Sequence, residues 1–234
     1  MRSIDVIFRW QDDLPDVSHT AVVVIDTLRA TTTIATILAN GAQAVLPVGG
    51  VEKAFALKEQ DPRLVLGGER NNRPLPGFDA GNSPYDYPRA VVEGRRVVLT
   101  TTNGTQAVER TAHAPWVALG SLVNARAVAQ AQQSAHDLGL IVCAGTEGQV
   151  SLEDVLAAGA IVLHWPQEAC TDRALIARAL FDKWRDHLYE GLKTAQHARA
   201  IIAQGLDADV EYAARLDLLP HAVVRNKEGW FVNQ

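Results

Sequence analysis

The stretch VVVIDTLRATTT, residues 22–33, decides how the chain is read. It opens with four apolar residues in a row and no polar alternation, the pattern of a strand buried on both faces in an α/β sheet. The strand ends on a carboxylate, Asp26, followed within a few residues by the guanidinium of Arg29 and the hydroxyls of Thr31, Thr32 and Thr33. From Thr31 onward the apolar residues change period. Ile34, Ile37 and Leu38 share one helical face, and Gly41 is a natural helix stop. Strand, polar turn and helix in that order form the repeating unit of a parallel sheet.

The same grammar returns at VVLTTTNGT, residues 97–105, and each of the two segments leads through a helix to a further strand and a small-residue turn. This weak internal echo leaves open either duplication of a βαβ unit or convergence on common α/β patterning. Outward from these two anchors, strands are expected at 3–8, 44–48, 64–66, 116–119 and 140–144. Helices are expected at 51–59, 105–111, 122–137, 152–164, 170–190, 194–203 and 207–216, with a terminal hairpin over 221–225 and 230–232. Residues 67–88, GGERNNRPLPGFDAGNSPYDYP, are saturated with glycine, proline and asparagine and read as a long loop. Phe78, Tyr85 and Tyr87 give that loop apolar anchors. The expected architecture is a three-layer α/β/α sandwich with a largely parallel or mixed sheet. No boundary divides the chain, so residues 1–234 are read as one domain carrying the segment 170–234 on its flank.

Composition narrows the function. The 234 residues carry a net charge of −5, with 47% apolar and 21% charged residues, a balance typical of a soluble globular protein. Basic residues are scattered, so the surface is not built for nucleic acid or an anionic membrane. No apolar run reaches membrane-spanning length. Asp5, Arg9, Asp12 and Asp13 do not fit a signal peptide, so a cytoplasmic location is the default expectation. The two cysteines, Cys143 and Cys170, have no metal-site spacing, and position 149 is Gln, so Cys143 lacks the arginine that a cysteine phosphatase places six residues on. P-loop, dinucleotide-binding and serine-hydrolase elbow motifs are absent. The sequence leaves a homo-oligomer open.

In open α/β sheets ligands bind beyond the carboxyl ends of the strands. Four segments bring polar residues there: DTLRATTT, TTTNGT, GSLVN (residues 120–124) and AGTEGQVSLED (residues 144–154). Each has a bland reading as a helix cap, and Asn103 with Gln106 and Ser151 with Asp154 have capping-box spacing. Together they suggest an anion site. Helix N-termini offer free N–H groups, and the threonines add neutral donors. Arg29 is suited to gripping an oxyanion, and Asp26 to holding a magnesium ion or acting on water. Glu69, Asp79, Glu153 and Asp154 are candidates for a second carboxylate.

DTLRATTT, GER and PGFDAGNSP in the long loop, TTTNGT, GSLVNA and AGTEGQVSLEDVLAAGA resemble the 2-phosphosulfolactate phosphatase family, in its order, over residues 20–165. Thr27 and Ala80 depart from the family pattern. The resemblance implies an α/β/α fold and a Mg²⁺-dependent phosphatase that converts (R)-2-phospho-3-sulfolactate to 3-sulfolactate, a step of coenzyme M biosynthesis. With the residue reading it puts Asp26, Arg29, Glu69, Glu153 and Asp154 forward as catalytic and Asp26, Glu69, Asp79 and Asp154 as metal-holding. It puts Thr31, Thr32, Thr33, Arg70, Asn82, Ser83, Thr101, Thr102, Asn103, Gly104 and Ser121 around the substrate. Whether Asp26 attacks phosphorus or holds the ion stays open, although no D-x-D pattern begins at Asp26. A phosphatase for another small phosphorylated hydroxy acid and a non-catalytic anion-binding module are the alternatives.

Overall fold

The computed structural model describes residues 2–70, 72–101 and 103–234. In chain order its elements are β1 (Ser3–Ile7), β2 (Ala21–Ile25), α1 (Ala30–Ala39), β3 (Ala44–Val48), α2 (Val51–Gln60), β4 (Val65–Arg70) and β5 (Arg73–Pro74). There follow α3 (Arg89–Val92), β6 (Arg96–Thr100), α4 (Gly104–Arg110), β7 (Trp116–Gly120), α5 (Ala125–Ala135), β8 (Leu138–Cys143) and α6 (Leu152–Val162). The tail adds α7 (Asp172–Trp184), α8 (Leu188–Lys193), α9 (Gln196–Ala203), α10 (Asp207–Ala213), β9 (Val223–Arg225) and β10 (Phe231–Asn233).

One mixed sheet runs in the order β1-β8-β2-β7-β9-β10-β3-β6-β4-β5. It consists of two parallel halves, β1-β8-β2-β7 and β3-β6-β4, with helices packed against them. All five residues of β2 are buried, as its unbroken apolar run requires. Val23, Ile25, Ile141 and Cys143 pack toward α5, α6 and α7, while Val22, Val24, Leu140 and Val142 point into a second core that includes Ile34, Ile37 and Leu38 of α1. Alternate side chains of one strand therefore serve two apolar layers, which is the α/β/α arrangement that the sequence pattern implies.

The C-terminal hairpin is not an appendage. β9 pairs antiparallel with β7 and β10 antiparallel with β3, so the last strands of the chain join the two parallel halves at the centre of the sheet. Two crossovers pass between the halves. β2-α1-β3 runs one way and β6-α4-β7 runs back, so the two echoing segments of the sequence interleave, with β2 beside β7 and β3 beside β6.

Three expectations are corrected. β4 continues through Gly67, Gly68 and Glu69 to Arg70 and turns back into β5, so the start of the expected loop is a short hairpin. The expected helix over 170–190 is broken between Trp184 and Leu188 into α7 and α8. The helix expected from Leu122 begins as a 3-10 turn at Leu122–Asn124 before α5. Here Leu122 and Val123 use their carbonyls to accept N–H groups of Asp217 and Leu219, which ties the tail down.

Phe231 is fully buried where β10 meets β3 at Val45. Phe231→Ala is expected to cost about 3–5 kcal/mol, the range for truncating a buried aromatic ring, measured as a loss of unfolding free energy in denaturant. A hairpin resting on the surface would give a loss well under that range.

Candidate active site

A cavity of about 250 Å³ lies beyond the carboxyl ends of β2, β4 and β6. Asp26 and Arg29 reach it from the β2–α1 turn, Thr101 and Asn103 from the β6–α4 turn, Glu69 from the end of β4, and Asn82 from the loop beyond β5. Thr146 and Glu147 close it from the β8–α6 loop, and His197 from α9. The cavity thus spans the join between the two half-sheets, the place where strand order changes and ligands collect in open sheets.

Asp26 is held tightly at this join. Its backbone N–H donates to Thr31 Oγ1 at 3.1 Å, and its carbonyl accepts both the Thr31 hydroxyl and the Thr31 N–H, each at 2.9 Å. Its carboxylate accepts a long bond from Ala30 N–H at 3.4 Å. Across the turn stands Gly104, where a methyl group would lie 2.8 Å from Asp26 Oδ2, so only glycine lets α4 approach this closely. Burial raises the Asp26 carboxyl from its ordinary 3.8 to about 6; the His197 charge and the Ala30 N–H oppose the rise, while the nearby Glu69 and Glu153 charges add to it.

Arg29 is almost fully buried. One terminal nitrogen pairs with Asp209 Oδ2 of α10 at 2.6 Å, and the other donates to Asn72 Oδ1 at 3.3 Å. Asp209 Oδ1 in turn accepts the Ser83 hydroxyl at 2.6 Å. The guanidinium is therefore clamped at the cavity wall by a paired anion, which a buried charge requires. The Leu28–Arg29 peptide is cis. Glu69 also lies at the wall, where Oε2 accepts the N–H of Asn72 at 2.8 Å. Asn82 Oδ1 is buried without a hydrogen-bond partner among the described residues.

The structure draws other expected residues into support. The hydroxyls of Thr31, Thr32 and Thr33 do not present themselves to the cavity. Thr31 closes onto Asp26, Thr32 donates to the Thr27 carbonyl at 2.8 Å, and Thr33 donates to the Asn82 carbonyl at 2.9 Å, anchoring the long loop. Asp154 does not line the cavity, because its two oxygens are occupied by the N–H groups of Thr27 at 2.8 Å and Gly145 at 3.0 Å. Burial, with the Asp26 and Glu153 charges beside it, pushes its carboxyl well up. Asp79 lies elsewhere, accepting Lys58 at 2.5 Å and the Leu66 N–H at 2.8 Å. Ser121 is turned inward to Asn124. Ser83 braces Asp209, and Arg70 is exposed, donating to the Glu69 carbonyl. Neither Asn103 nor Ser151 caps its helix through its side chain. Thr102 lies outside the described residues. Cys143 is a buried free thiol that burial pushes up, as its apolar setting implies.

Two participants carry no sequence signal. Asp209 stands in an ordinary acidic first turn, and His197 is one of seven dispersed histidines. The packing of the tail helices against α6 and α1 brings them in. Glu153 Oε1 lies 3.1 Å from His197 Nδ1, while Glu153 Oε2 is buried without a partner among the described residues.

An Asp26→Asn variant tests the electrostatics without any ligand. The folded chain keeps the Asp26 proton to a higher pH than the unfolded chain, so the Asp26 contribution to stability falls as pH rises from about 4 to about 6 and is constant above. Asparagine carries no such cost. In chelator-treated protein, the melting temperature of Asp26→Asn minus that of wild type is expected to grow across this window and level off above it. A variant less stable than wild type at pH 7 contradicts this.

Residues 9–228 match the family model described as 2-phosphosulpholactate phosphatase. A protein of Deinococcus radiodurans named probable 2-phosphosulfolactate phosphatase is 45% identical over 211 residues, 88% of each chain. Relatives with the same name occur in Thermotoga petrophila, 43% identical over 84% of this chain and 85% of theirs, and in Gloeobacter violaceus, 41% identical over 90% of both.

Proposed function

This chain belongs to the 2-phosphosulfolactate phosphatase family of phosphoric monoester hydrolases, and from that premise we propose that the cavity beside Asp26 hydrolyses (R)-2-phospho-3-sulfolactate to 3-sulfolactate and phosphate with the help of Mg²⁺. The observation that carries this reading is the meeting of Asp26, Glu69, Arg29, Thr101, Asn103 and Asn82 around one small cavity at the strand ends. The substrate presents phosphate, sulfonate and carboxylate. A lining that combines two carboxylates, a clamped arginine and neutral donors suits such a ligand only if a cation offsets the carboxylate charge.

Magnesium fits the donor set. It prefers oxygen ligands and usually rests on one or two carboxylates, waters and the substrate's own phosphate oxygens. Among the described residues no three His, Cys, Asp or Glu side chains form a metal cage, in keeping with that habit. Asp26 and Glu69 would hold the ion, and the unpartnered Asn82 Oδ1 is a neutral oxygen on the same wall. When bound, it supplies positive charge against the phosphoryl oxygens. Arg29, held rigid by Asp209, orients an anionic group of the substrate, and Thr101 and Asn103 offer uncharged hydrogen bonds. Water is the nucleophile. Removing charge repulsion and fixing an in-line approach are the main things a protein can do for phosphoryl transfer.

Phosphate release from a panel of small phosphorylated hydroxy acids tests the reading. (R)-2-phospho-3-sulfolactate is expected to be the best substrate, with activity lost in chelator, restored by Mg²⁺, and reduced at least about 10³-fold by Asp26→Asn, the scale set by charge-stabilising groups. An acid quench during turnover of labelled substrate is expected to leave no label on the protein. Preference for another hydroxy acid ester moves the substrate assignment; absence of turnover of any ester removes the enzyme reading.

A further inference from the structure

Hydrolysis of an alkyl phosphate leaves one demand that Asp26, Glu69 and Arg29 do not meet. The departing oxygen belongs to a secondary alcohol, a poor leaving group, and it needs a proton as the P–O bond breaks. Resting on the phosphatase reading above, we propose that His197 is the general acid that protonates this oxygen and that Glu153 is the residue that positions it.

His197 sits in the right place and orientation. It lines the Asp26 cavity and also a neighbouring cavity of about 280 Å³, with Thr146, Glu147 and Ala200 shared between the two. Its Nδ1 lies 3.1 Å from Glu153 Oε1 and 3.3 Å from Thr146 Oγ1. These contacts fix the ring and assign Nδ1 to the protein, which leaves Nε2 as the nitrogen for the ligand. The carboxylate–imidazole pair is the arrangement that holds a catalytic histidine in one tautomer and favours its charged form.

Glu153 is built for this task. It sits in the first turn of α6 with 2% of its side chain exposed, against 18% for His197. A carboxylate so buried needs a cation or a proton nearby, and its second oxygen has no partner among the described residues. His197 is the cationic group that reaches it. The ionisable groups around His197 are Glu153 of α6, Asp26 after β2, Arg29 before α1, Glu69 of β4, Glu147 of the β8–α6 loop, and Arg199 of its own helix. Burial alone would lower the imidazole; the hydrogen bond to Glu153 and the charges of Glu153 and Asp26 outweigh burial and Arg29 and hold it above its ordinary value.

The step balances. Water oxygen bonds to phosphorus as the ester P–O bond breaks, its electron pair passing to the alcohol oxygen. That oxygen takes the Nε2 proton and leaves as a neutral hydroxyl. Of the two water protons, one remains on the product phosphate and the other restores the imidazolium. The imidazole therefore returns to its starting state with no further reactant.

Leaving-group dependence tests the role. With Mg²⁺ supplied to both proteins, His197→Gln is expected to lower kcat on (R)-2-phospho-3-sulfolactate by about 10²–10⁴-fold relative to wild type, the usual worth of a general acid. On p-nitrophenyl phosphate, whose phenolate leaves without a proton, it is expected to lower kcat less than tenfold. The alkaline limb of the wild-type pH profile should disappear in His197→Gln and move to lower pH in Glu153→Gln. Equal losses on both esters, or a retained alkaline limb in His197→Gln, overturns the assignment. A substitution that merely unfolds the chain is recognised by melting temperature, and His197→Asn then replaces it with the same expectations. Wild type inactive on every alkyl ester would instead defeat the phosphatase reading itself.

Discussion

The structure gathers anions where the sheet changes hands. Asp26 and Glu69 line one small cavity, Glu153 lines the cavity next to it, and Asp154 feels the charges of Asp26 and Glu153. Carboxylates so placed repel one another and lose hydration, so each needs a proton, a hydrogen bond or a cation. The protein meets that need differently at each position. Two backbone N–H groups serve Asp154, an imidazole serves Glu153, one backbone N–H serves Glu69, and Asp26 is left with a long bond and a carboxyl raised to about 6. Of the two carboxylates that line the cavity, Asp26 has the longer hydrogen bond among the described residues, and this is where a ligand cation gains most.

The fold exists to hold that tension. Neither parallel half-sheet makes the site alone. β2 brings Asp26 from one half, while β4 and β6 bring Glu69 and Thr101 from the other. The β9–β10 hairpin joins the halves, and α10 sends Asp209 back to clamp Arg29. The chain's last sixty or so residues therefore complete the site that its first hundred begin. Gly104 sets the closest approach, since a side chain there would collide with the Asp26 carboxylate.

Much of this was legible in the sequence, in proportion to how local the cause is. Strands β3 and β6 follow directly from their apolar runs, and the polar ends of β2 and β6 do meet at one sheet edge. The threonine cluster was harder to read. Three hydroxyls in a row look like ligand donors, yet each is used by a backbone carbonyl, two in the turn itself and one, that of Asn82, in the long loop. Asp154 has the spacing of a cap but serves a different turn, because the packing of α6 beside β2 places the Thr27 N–H closer. Asp79 was misleading for a similar reason: the hairpin after β4 turns it toward Lys58. His197 and Asp209 had no local signature. Their partners lie 44 and 180 residues away, and only tertiary packing defines them.

The central claim is that Asp26 is a carboxylate waiting for a cation. Calorimetric titration of Mg²⁺ into the chelator-stripped protein, in buffers of different ionisation heat, tests it most directly. The account predicts binding that releases protons near pH 6, where the Asp26 carboxyl is partly protonated, little release at pH 8, and loss of binding in Asp26→Asn. Binding that survives Asp26→Asn with unchanged affinity and proton release would contradict it.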